Sequence, residues 1–155
     1  MRRLAFSMMV ALAVSACGSF AADSSLGTWK LNPGKSKSSE ARQIKSRTDI
    51  REAAPDGAVK MATDIQYADG TSMQYTYTCK YDGKPCPTTG APFDTISLKR
   101  MDANTVTFVV SKAGGKYHME GKSVVSADGK TRTQTASGTN AEGQPSSHTY
   151  VFDRQ

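Results

Sequence analysis

The chain has 155 residues, 22% of them charged and 8% aromatic, with 20 Lys and Arg against 14 Asp and Glu. At about 150 residues per domain this is one domain, which excludes a multidomain enzyme. Outside Met1 to Ala22 no apolar run is long enough to cross a bilayer as a helix.

Arg2 and Arg3, an apolar stretch from Leu4 to Ala16 and the small residues after it have the layout of an export signal over 1–22, so the folded domain spans 23–155. Ser19-Phe20-Ala21 suits a signal peptidase, while Val14-Ser15-Ala16-Cys17 resembles a bacterial lipobox. In the second case Cys17 carries acyl chains, each buried CH₂ contributing about 0.8 kcal/mol to membrane anchoring. Both readings predict an exported protein, in the periplasm or held on the outer membrane. Removal of the leader takes away two arginines and no acids and lowers the formal charge from +6 to +4, a mild attraction toward anionic surfaces.

From Asp23 onward apolar residues recur at period two. Turn signals separate the runs: Pro55-Asp56-Gly57, Asp69-Gly70, Asp82-Gly83, Gly114-Gly115, Asp128-Gly129 and Glu142-Gly143. Only 17 of these 133 residues are Leu, Ile, Val or Phe, a composition that by itself points toward disorder. The 16 Thr and six Tyr offset this, because both residue types suit a pleated, half-buried surface.

A first strand is predicted around Gly27 to Leu31, followed by a long mobile loop over Asn32 to Glu40. In the second strand Ile44 and Ile50 share one face, with Lys45, Arg47 and Arg51 on the other, and Ile50 pairs with Val59. A three-residue turn at Asp69-Gly70-Thr71 pairs Ile65 with Tyr75 and Tyr67 with Met73, so Val59, Met61, Ile65, Tyr67, Tyr75, Tyr77, Cys79 and Tyr81 share a face. A two-residue turn at Asp82-Gly83 sets Cys79 opposite Cys86, within disulfide reach in an oxidising compartment. Ile96 and Leu98 then pair with Val106, Phe108 and Val110, and Val110 with Met119. Thr131, Thr133 and Thr135 alternate with Arg132 and Gln134, where the inward side is left open, and Tyr150 and Phe152 mark the last strand. Eight to ten strands in meander order predict an all-β, up-and-down antiparallel barrel, with a β-sandwich as the alternative.

Gly27-Thr28-Trp29, opening such a series, resembles the G-x-W element of the lipocalin and wider calycin barrels. That resemblance implies that Trp29 closes the barrel floor beneath a basic residue of the last strand, here Arg154. The stretch Gly27 to Pro33 with Lys35-Ser36-Lys37, and the turns at Tyr81 to Pro85 and Ser126 to Thr131, also look like those of small exported bacterial proteins without a settled activity.

The two histidines lie in no motif: alternation turns His118 outward and His148 inward. Asp56, Asp69, Asp82 and Asp128 stabilise turns, and no nucleophile, zinc, phosphate or dinucleotide motif is present, so neither catalysis nor a cofactor nor a metal is expected. Tyr67, Tyr75, Tyr77, Tyr81, Phe108 and Tyr117 instead predict an amphipathic lumen for a small amphipathic or aromatic ligand. The alternative is an envelope module that binds a protein or anionic polymer through Lys35, Lys37, Arg42, Lys45, Arg47 and Arg51. No aromatic residues interleave with those charges, which argues against nucleic acid.

Overall fold

The computed structural model describes residues 23–155, so the leader, its cleavage sites and Cys17 lie outside the described residues. Eleven strands form in chain order: β1 (Gly27–Leu31), β2 (Lys37–Ser38), β3 (Ile44–Ala54), β4 (Ala58–Tyr67), β5 (Ser72–Cys79), β6 (Asp82–Thr89), β7 (Thr95–Arg100), β8 (Thr105–Ser111), β9 (His118–Val125), β10 (Thr131–Thr139) and β11 (Pro145–Arg154). From β3 to β11 each strand is antiparallel to the next, and β1 pairs with both β3 and β11 to close a ten-stranded barrel. Closure pairs both sides of these ten strands among the described residues, so the one free edge is the two-residue β2, which lies along β11.

Tight turns and alternation account for most of this order. Ile96 faces Val110, Leu98 faces Phe108 and Val110 faces Met119, the pairs that the turn spacings predict. Cys79 and Cys86 form a disulfide with their Cα atoms 5.6 Å apart, in register with the neighbouring pair Tyr77 and Thr88. The inner wall gathers Val59, Met61, Tyr77, Ile96, Leu98, Val106 and Met119, all buried. Each such side chain contributes on the order of 1.5–3 kcal/mol by leaving water.

Three local expectations need correction. The three-residue turn is Ala68-Asp69-Gly70, one residue earlier than expected: Tyr67 N–H donates to Thr71 O, Gly70 N–H donates to Tyr67 O, and Ile65 faces Met73 rather than Tyr75. This moves the register by two positions and leaves every side chain on its expected face. The segment after β1 is not a structureless loop. Asn32 Oδ1 accepts from Lys35 N–H to cap a short 3-10 turn, Pro33–Lys35, and β2 then pairs with His148 and Thr149 of β11.

The third correction lies in β3, where Ile50 faces Ala62 and Ala53 faces Val59. A bulge between Ile44 and Ser46 inserts one residue, so the faces of β3 exchange beyond it. Ile50 is consequently 43% exposed, while Arg47, Asp49 and Arg51 point into the barrel and are buried.

Candidate functional site: the barrel lumen

The two ends of the barrel differ. At one end Trp29 is fully buried, its indole Nε1 donates to Ser25 O at 2.9 Å, and the Arg154 guanidinium lies 4.2 Å from its ring centroid. Arg154 also donates to the carbonyls of Gly129, Leu26 and Ser24, each at 2.6 Å, tying the first and last strands into a floor. Gly27 has φ +118°, and a Cβ there would stand 2.7 Å from Arg154 Nη1, so the cation requires glycine two residues before the indole.

At the other end Glu40 to Arg42, Pro92-Phe93 and Asn140 to Glu142 rim a cavity of about 450 Å³. Tyr67, Tyr75, Phe93, Tyr117 and Tyr150 form its aromatic wall. A smaller cavity of about 90 Å³ continues inward, and Arg47, Tyr75, Phe93, Tyr117 and His148 line both. A shallow depression of about 900 Å³ lies on the outer face of β8 to β11, lined by Thr107, Glu120, Lys122, Thr135 and Thr149, and it shares Phe108 and His148 with the lumen wall.

The predicted ligand residues are distributed along this path. Tyr67 stands at the mouth beneath the Arg42 guanidinium at 3.7 Å, Tyr75 and Tyr117 line both cavities, and Tyr77 and Phe108 lie in the lumen. Tyr81 belongs to the floor, where its hydroxyl donates to Asp23 at 2.8 Å and accepts from Arg51 at 3.4 Å. Tyr75 Oη accepts from Arg47 at 3.0 Å, and Tyr77 O–H donates to Met61 Sδ at 3.0 Å. Burial pushes the Tyr77 phenol up to about 12, so it stays neutral throughout the physiological range.

Sequence reasoning placed Arg47 and Arg51 on the solvated face and did not single out Arg132; all three are buried in the barrel. Arg47 clasps Asp49 through two donors, at 2.8 and 3.2 Å, and Arg132 bonds the same carboxylate, which also accepts from Thr63 at 3.0 Å. Burial opposes the Asp49 charge, but Arg47 and Arg132 outweigh it and hold the carboxyl at about 2. Arg132 lies 4.0 Å from the Phe152 ring centroid, a cation-π contact that shelters part of its charge. Two signals mark this cluster in the sequence: the i, i+2, i+4 spacing of Arg47, Asp49 and Arg51, and the alternation of Arg132 with strand threonines. The basic surface patch correspondingly loses Arg47 and Arg51 and keeps Lys35, Lys37, Arg42 and Lys45, which are exposed.

His118 projects outward beside Glu120, at 3.5 Å. His148 turns inward, stacked on Tyr150 with ring centroids 4.2 Å apart, and its buried Nε2 has no partner among the described residues. Burial first, and then the charge of Arg47, lower its pKa from 6.5 to about 4. The folded state therefore binds fewer protons than the unfolded chain between these values, and stability rises with pH across that window. Wild-type protein should lose on the order of 2 kcal/mol as pH falls from 6.5 toward 4, whereas His148→Gln should be nearly flat there, read by urea unfolding at several pH values.

Among the described residues no group of three or more His, Cys, Asp or Glu converges as a metal set. No family model matches the chain, and no curated protein matches it. Solved structures do resemble its fold. The wild-type fluorescent protein UnaG is 8% identical with a TM-score of 0.52, over 84% of this chain and 96% of that one. EF1p2_mFAP2b bound to DFHBI is 9% identical with a TM-score of 0.50, over 87% of this chain and 97% of that one. At such identities the likeness shows the fold alone, a closed antiparallel β-barrel.

Proposed function

We propose that this chain is an exported, non-catalytic binding protein that holds a small amphipathic molecule in the barrel, entering between Glu40 to Arg42 and Asn140 to Glu142. The carrying observation is the path from the 450 Å³ aromatic mouth to the 90 Å³ inner cavity, which share Arg47, Tyr75, Phe93, Tyr117 and His148, closed at the opposite end by Trp29 and Arg154. One closed end and one open end suit a molecule that enters by its head and leaves its body among aromatic rings. The solved barrel EF1p2_mFAP2b, bound to DFHBI, supports the capacity of such a fold to hold a small molecule. Lipidation at Cys17 would add a membrane anchor to the same carrier.

Native mass spectrometry of protein purified without denaturation tests this reading. A reproducible small-molecule adduct is expected, with binding of the extracted molecule weakened about fivefold or more by Tyr75→Phe, because Tyr75 lines both cavities and its hydroxyl is a polar group of their shared wall, held by Arg47. Protein that carries no adduct and takes up no amphipathic dye would overturn it.

A further inference from the structure

The lumen holds more positive charge than it neutralises. Among the described residues its buried charged side chains are Arg47, Arg51 and Arg132 against Asp49, a surplus of two. Arg47 and Arg132 share that carboxylate. Arg51 does not: it reaches only Met61 Sδ at 3.6 Å and Tyr81 Oη at 3.4 Å, and its Nε has no partner among the described residues. Nε of Arg132 is likewise unmet. Folding an unneutralised guanidinium into a barrel opposes stability strongly, so a retained surplus calls for a counter-charge.

The space for that counter-charge is present. Arg51 and Arg132 line the 90 Å³ cavity together with the polar side chains of Ser123 and Gln134, while Leu98, Val106 and other apolar residues form the remainder of its wall. Both arginines are at least nine-tenths buried, so bulk water does not screen them as it would surface cations. A planar carboxylate or a sulfonate matches guanidinium donors in number and geometry, whereas an uncharged head leaves the surplus in place.

We infer that the lumen selects an anionic head: the ligand is a small organic acid whose carboxylate or sulfonate meets Arg51 and Arg132 and whose apolar, aromatic-compatible body rests among Tyr67, Tyr75, Phe93 and Tyr117. This rests on the lumen being the binding site and adds the charge and polarity of what occupies it. Arg47 and Asp49 are positioning residues in this scheme, holding Arg132 by their shared bridge. Arg51 is the specificity determinant, and its removal orphans no buried acid.

The test compares two dyes of similar body and different charge, the sulfonate 8-anilinonaphthalene-1-sulfonate and the neutral N-phenyl-1-naphthylamine, titrated into the mature protein by fluorescence. The sulfonate is expected to bind one site at least tenfold more tightly than the neutral dye. Arg51→Met should remove at least tenfold of that affinity and leave the neutral dye within twofold. Arg51→Lys, which keeps the charge and is the gentler change should Met impair folding, should restore part of it. Equal affinity for both dyes, unchanged by either substitution, overturns the anionic head while leaving the lumen as the site. Failure of both dyes to bind overturns the lumen itself. Chloride or inorganic phosphate binding that depends on Arg51, without preference for the sulfonate, assigns the cluster to a free ion and overturns the organic acid.

Discussion

Asp49→Ala lowers the unfolding free energy by about 3–5 kcal/mol, a large fraction of the total for a domain of this size. The carboxylate has no exposed surface, and Arg47, Arg132 and Thr63 all bond to it. Its removal leaves three buried guanidiniums with no acid among them, so the loss comes from stranded cations more than from the missing bonds. Asp49→Asn preserves shape and one acceptor but not charge, and should fall between wild type and Ala. Urea unfolding at neutral pH measures both. Acid should reproduce the effect in wild type: with the folded carboxyl at about 2 against 3.8 unfolded, its stabilisation is complete above 3.8 and disappears as pH falls toward 2. This window lies below that of His148, whose pKa is about 4 in the fold and 6.5 outside it, so the two groups produce separate phases of acid destabilisation.

Trp29→Ala is the second large loss, about 3–5 kcal/mol, because a fully buried aromatic leaves a cavity that the closed sheet cannot collapse to fill. The indole supports two cations, Arg154 at 4.2 Å and Arg132 at 5.6 Å, and its N–H satisfies Ser25 O. Trp29→Phe keeps a ring beneath both cations and gives up the hydrogen bond, so it should cost about 1–2 kcal/mol more than an unperturbed core exchange. Denaturant unfolding followed by far-ultraviolet circular dichroism distinguishes the two, and similar losses for Phe and Ala would show that the hydrogen bond rather than ring volume holds the floor.

The architecture was readable because turns and alternation act locally. Asp82-Gly83 sets Cys79 against Cys86, and the turn near Asn104 sets Leu98 against Phe108, without reference to the remainder of the chain. The tyrosines of β4 and β5 kept their faces although their register moved by two residues, since two positions are one full period of a strand. The charged cluster was hidden by a different kind of event. One inserted residue near Lys45 exchanges the faces of β3, and nothing in the composition of Gln43 to Ser46 marks a bulge. Rules for solvated faces then assigned Arg47 and Arg51 to water. Arg132 escaped because its burial depends on Asp49, 83 residues earlier, a partner that its alternation with strand threonines does not identify.

The strand polarity that builds the floor also orients the molecule. Residues Asp23 to Leu26 approach β1 at the Trp29 end, while the opening lies among Glu40, Phe93 and Glu142. Asp23, where the described residues begin, therefore lies at the sealed base, bonded by the Tyr81 hydroxyl. A partner fused ahead of Asp23 would join the barrel there, at the far end from the aperture, and leave that doorway unobstructed.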